Sequence, residues 1–98
     1  MTASSPADRD LGQARACRRL WASVVLHALN DSWHAIRRKD ADIPRIRQEA
    51  LRYFRSRDGR TVVSLAGITA SPERLADVAV DFNARDRTKA LLGFDEAA

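Results

Sequence analysis

Three observations predict an all-α fold for this chain of 98 residues. Good helix formers run from residue 8 to residue 38 without an intervening proline. Apolar residues recur at three- and four-residue spacing through that stretch and again in the segments that follow it. With four glycines and three prolines, the chain lacks the turn density of an all-β domain. The length suits one compact domain, and a 45% apolar composition is that of a folded protein. The expected organisation is a mobile, small and polar segment over residues 1–7 and a single helical domain over 8–82. Residues 83–98 are expected to form a tail or short helix.

The first helix is expected over 8–38. Ala14, Cys17, Trp21, Val24, Val25, Ala28, Ser32 and Ile36 share one broad face, and Leu26, Leu29 and Trp33 form a second stripe beside it. A helix apolar over so much of its circumference is expected to be central in a bundle, or to pair with a second copy as a homodimer. Arg37, Arg38 and Lys39 stand at its C-terminal end, where positive charge complements the helix dipole. Asp40 or Asp42 is placed to cap a second helix over 43–55, whose first turn tolerates Pro44. Ile43, Ile46, Ala50, Tyr53 and Phe54 point inward there, and Arg45, Gln48, Arg52 and Arg55 form a row on the opposite side.

Ser56 is a candidate cap for a third helix over 57–66, with Val62, Val63, Leu65 and Ala66 as core contacts. Gly59 weakens its first turn, and Gly67 sits where a left-handed terminal residue is wanted. Ser71-Pro72 is a strong start signal for a fourth helix, in which Leu75, Val78, Ala79 and Phe82 fall on one side. The expected core is Trp21, Val24, Ala28, Ile46, Ala50, Phe54, Leu65, Val78 and Phe82. The last pair of helices, joined through Leu65-Ala66-Gly67-Ile68, is expected to be helix-turn-helix-like.

The net charge of +4 and a pI near 10.2 permit an acidic partner such as nucleic acid without diagnosing one. From Arg45 to Arg60, six arginines stand against Glu49 and Asp58. Arginine offers a planar fork that suits phosphate. The first functional reading is therefore a DNA-associated regulator of transcription. In it Arg45, Arg52, Arg55, Arg57 and Arg60 hold phosphates, and Arg74 is the single base reader of the fourth helix. Against direct reading stand Glu73, Asp77 and Asp81, spaced i, i+4, i+8 on that helix, since carboxylates repel phosphates. The alternative is a protein-binding adaptor or inhibitor that uses those three acids and no nucleic acid, with the transcription machinery a possible partner. Either charged surface can also be a solvated, salt-bridged face.

His27, Asp31 and His34 share a face, but a fourth metal ligand is not evident, and an Asp–His hydrogen bond one turn apart is the favoured reading. No nucleophile lies beside a matching base and no glycine-rich phosphate loop is present, so no enzyme and no cofactor are expected. Cys17, the one cysteine, forms no internal disulfide and is expected to be a small buried side chain. No signal peptide or membrane-spanning run is evident, and the expected location is cytoplasmic.

Arg19-Leu20-Trp21-Ala22-Ser23-Val24-Val25-Leu26-His27-Ala28-Leu29-Asn30-Asp31, with its LWxxVxxxAxxD pattern, resembles the opening helix of small helical proteins from alphaproteobacterial prophages and gene-transfer-agent clusters. Tyr53-Phe54-Arg55-Ser56-Arg57-Asp58 and Leu65-Ala66-Gly67-Ile68 resemble the later part of the same proteins, so the likeness spans residues 19–80. It implies an accessory or regulatory protein acting on DNA or on the transcription machinery, and it carries no catalytic residues. The acids at 73, 77 and 81 depart from the more basic final helix of that group.

Overall fold

Helix boundaries in this chain are set locally, by caps that the sequence carries. The computed structural model describes residues 6–94, and side-chain surroundings from Gly12 onward. It is all-α, with α1 Pro6–Ile36, α2 Ile43–Arg55, α3 Arg57–Leu65, α4 Pro72–Ala79, a 3-10 turn Phe82–Ala84 and α5 Arg85–Leu91. The expected mobile segment lies outside the described residues for positions 1–5, while Pro6 and Ala7 already belong to α1. The Asp42 carboxylate accepts the Arg45 N–H at 3.2 Å to open α2, and the Ser71 hydroxyl accepts the Arg74 N–H at 3.1 Å to open α4. Gly67 takes φ 73°, the left-handed conformation expected of it.

The corner between α2 and α3 turns on one residue. Ser56 donates its backbone N–H to the carbonyls of Arg52 and Tyr53, closing α2. Its hydroxyl donates to the Tyr53 carbonyl at 2.6 Å and accepts the Gly59 N–H at 3.0 Å, opening α3. Gly59 is buried against the end of α2, where an added Cβ would collide with the Tyr53 carbonyl. Gly59 thus does more than loosen a first turn, because it lets the two helix backbones meet at a sharp angle.

Two ends differ from expectation. α1 stops at Ile36, and Arg37 and Arg38 continue in tighter i to i−3 bonds to His34 and Ala35. α4 stops at Ala79, so Phe82 is not its last apolar position. Asp81 is extended and caps the 3-10 turn through the Asn83 N–H at 3.1 Å. Phe82 then lies under two guanidiniums, Arg37 at 4.6 Å and Arg85 at 5.8 Å from its ring centre.

The core uses the Val25 edge of the expected face of α1 together with Leu29 and Trp33 of the second stripe. Ala22, Val25, Leu29 and Trp33 are buried at i, i+3, i+7 and i+11, whereas Val24 is exposed and Trp21 and Ala28 are only half-buried. The second apolar stripe therefore faces the bundle. Cys17, expected to be buried, is exposed. Ala50 and Phe54 are core as expected, joined by Leu51, Val63, Leu75, Ala76 and Ala79. Leu65 is exposed, and Ile46, Val78 and Phe82 are half-buried. Trp33 is the largest fully buried side chain, and its Nε1–H donates to the Val78 carbonyl at 2.9 Å.

α2 packs most closely on α4 and α1 on α3, and both pairs share the same core. The packing does not confirm the helix-turn-helix detail. α3 and α4 are joined by residues 66–71 and rest on α1 and α2 rather than closely on each other. Residues 12–20 of α1 run largely exposed, with Leu20 at 61%, and this overhang gives the molecule a radius of gyration of 15.9 Å. A compact chain of this length would have about 12–13 Å.

Replacing Ser56 with Ala removes one cap and is expected to cost about 1 kcal/mol. Gly59→Ala forces the α2–α3 corner apart and is expected to cost more, about 3 kcal/mol. Urea unfolding of both variants ranks them, and equal midpoints would show that the corner relaxes around a Cβ.

Candidate nucleic-acid interface

Charge on α2 divides between two sides of the helix. Arg47, Leu51 and Arg55 at i, i+4, i+8 face α4, and Leu51 is buried there. The Arg47 Nε donates to the Asp77 carboxylate at 2.9 Å, and the Arg55 Nη2 donates to the Glu73 carboxylate at 2.6 Å. The early arginine meets the late acid and the late arginine meets the early acid, so α2 and α4 run antiparallel. Each pair is largely solvent-exposed and by itself contributes little to stability. Their larger effect is on register, because two bridges, about two turns apart on α2 and one on α4, favour one alignment of the two helices. Asp81, the third acid of the stripe, binds the backbone of the 3-10 turn instead.

The nine charged residues singled out from the sequence therefore fall into separate environments. Glu73, Asp77 and Arg55 are brought together in the α2–α4 seam, where Arg47 joins them. Arg45 reaches Glu49 along its own helix at 3.4 Å. Arg52 at the end of α2 and Arg57 and Arg60 at the start of α3 are exposed around the Ser56 corner. Among the described residues, no carboxylate lies within ion-pair distance of these three. Arg74 is exposed on the far side of α4, also without such a partner among the described residues. Arg60 borders a groove with Phe54, Ser64, Pro72 and Leu75, which puts it beside the N-terminal end of α4.

Arg47 was missed as a functional residue because it sits on the half-buried side of α2, outside the Arg45–Arg52–Arg55 row. The signal was present nonetheless. Arg47 and Arg55 share one side of α2, and Glu73 and Asp77 share one side of α4, as a pair of facing helices requires.

The Arg55 guanidinium hydrogen-bonded to Glu73 holds that carboxyl below the ordinary value of 4.5, helped by the residue's own backbone N–H. A depressed carboxyl stabilises the fold above the unfolded-state value, and this contribution disappears as pH falls through the folded-state value. His27 and Asp31 approach to 3.9 Å on the open side of α1. Among the described residues, no group of three or more His, Cys, Asp or Glu is arranged to hold a metal ion. No helix among them is long and apolar enough to cross a membrane.

A family model matches residues 13–97, and the chain belongs to that family, DUF6280, a family of unknown function. No curated protein and no solved structure matches the chain.

Melting curves between pH 6 and pH 3 test the seam. The wild-type protein is expected to lose the Arg55–Glu73 contribution below the ordinary glutamate range, and Glu73→Gln is expected to show a shallower decline because it has no such charge to lose. Identical pH dependence in the two proteins would mean that the pair adds nothing in solution.

Proposed function

We propose that this protein binds duplex DNA through the arginines of the α2–α3 corner, Arg52, Arg57 and Arg60, with Arg45 on the same helix as an auxiliary contact. The observation that carries the reading is the division of charge. The α4 acids that opposed contact with phosphate are held by Arg47 and Arg55, while the corner arginines remain exposed with only Asp58 among them in the chain. Exposed guanidiniums without carboxylate partners release counterions when they meet a phosphate backbone, and that release drives sequence-independent affinity. Arg55 is the weakest of the expected phosphate ligands, because contact with DNA would compete with its 2.6 Å bond to Glu73.

Base reading has narrower support. Arg74 is exposed on α4 outside the α2–α4 seam that holds Glu73 and Asp77, so a single side chain is available for a guanine edge. The activity fits an architectural or accessory DNA contact better than an operator-reading repressor. A role in transcription regulation within phage-derived gene clusters rests on the sequence resemblance alone. The reading of α4 as an acidic protein-docking face draws no support from this geometry, since two of its acids bind arginines of α2 and the third caps the 3-10 turn.

Titration of the full chain with duplex DNA between 50 and 200 mM salt tests the proposal. Binding is expected to weaken steeply with salt, and the combined R52A, R57A and R60A variant is expected to lower the slope of log K against log salt by about 2–3. The variant leaves the α2–α4 seam intact, so its melting temperature should match the wild type. Affinity and slope unchanged from wild type would remove this surface from consideration.

A further inference from the structure

A cleft of about 340 Å³ opens between α1, the 66–71 connection, α4 and α5. Its floor is the bundle core itself, with Val25 and Leu29 of α1 fully buried beneath it. Its far wall is α5 with the following Leu92; α5 contributes no buried residue, and Leu91 remains 82% exposed. The apolar side of α5 therefore approaches the bundle without filling the space between them. Arg74 from α4 and Arg87 from α5 line the same cleft, and no carboxylate among the described residues does. Neither arginine has an ion-pair partner among the described residues.

We propose that this cleft binds a single-chain amphiphile with an anionic head, of the class of a medium-length acyl carboxylate. The chain lies along Ile68, Val78 and Leu92 above the buried Val25 and Leu29, and the carboxylate faces Arg74 and Arg87. Size and lining select this class. The volume is at the lower end of the range for small-molecule sites. Two turns of a partner helix would need on the order of 900 Å³. A polar ligand such as a sugar or nucleotide would lose hydration against the apolar lining, where Thr69 and Thr88 are the only polar side chains besides the two arginines among the lining residues. A purely apolar ligand would leave two guanidiniums at the rim without a counter-charge, whereas a carboxylate accepts the paired N–H groups of each.

Trp33 provides a reporter, because its indole is buried and bonded to the carbonyl of Val78, a residue of the cleft wall. The experiment is titration of the full chain with decanoate below its micelle concentration, followed by calorimetry and by tryptophan emission. Decanol is the uncharged control, and the R74A/R87A double variant removes the head contact. Both arginines are exposed, so the double variant should keep the wild-type fold, as circular dichroism checks. Thr88→Phe, which fills the cleft from α5, is a second variant. The expected result is saturable one-site binding of decanoate, at least about tenfold weaker for decanol and for the double variant, and lost in Thr88→Phe. Absence of saturable binding overturns the proposal, as does equal affinity for decanol or for the R74A/R87A protein. This test shares no substituted residue with the DNA titration of the α2–α3 corner, so either reading can fail alone.

Discussion

The arrangement depends first on where Trp33 goes. It is the bulkiest of the fully buried side chains, and α1 buries it together with Ala22, Val25 and Leu29. An indole cannot be buried at no cost unless its N–H finds an acceptor, and the Val78 carbonyl near the end of α4 supplies one at 2.9 Å. That single bond ties the longest helix to the last turn of α4. It also sets the rotation of α1. With Trp33 inward, Leu29, Val25 and Ala22 follow at helical spacing, and Trp21 and Val24 are turned towards the surface.

A second constraint acts at the α2–α3 corner, where one serine ends one helix and begins the next. With no linker to absorb error, the direction of α3 is dictated by the hydrogen bonds of Ser56 and by the close passage of Gly59 over the Tyr53 carbonyl. The same corner concentrates Arg52, Arg57 and Arg60 in a small part of the surface. Backbone geometry and charge density are thus linked, since the sharp turn that completes the core also gathers the cations proposed to meet DNA.

Electrostatics join the two observations. The acid stripe of α4 looks, as a pattern, like an obstacle to phosphate or a docking face for a basic partner. Folding assigns it an internal role as the complement of Arg47 and Arg55 and as the cap of the 3-10 turn. Arg45, Arg52 and Arg55 were legible as a row because they share one side of α2. Their separation into bridged and unbridged members was not legible, because it depends on which side of α2 the fourth helix occupies. Arg47 was passed over for the same reason. Position on a helical wheel says which residues are neighbours on one element, but ion pairing across elements requires knowing the partner helix and its direction.

What the sequence by itself determined is the class of fold and the punctuation of its helices. Asp42 with Pro44, Ser56, Gly67 and Ser71 with Pro72 act within three or four residues of themselves, through caps and backbone conformations that need no distant partner. The tertiary structure alone decided which stripe of α1 is buried, because adjoining stripes of similar apolarity compete and the packed volume of Trp33 selects between them. It likewise ended α4 before Phe82, where stacking under Arg37 and Arg85 replaces another helical turn. Exposure of the corner arginines was decided there too, since their local sequence is the same whether or not a carboxylate lies opposite.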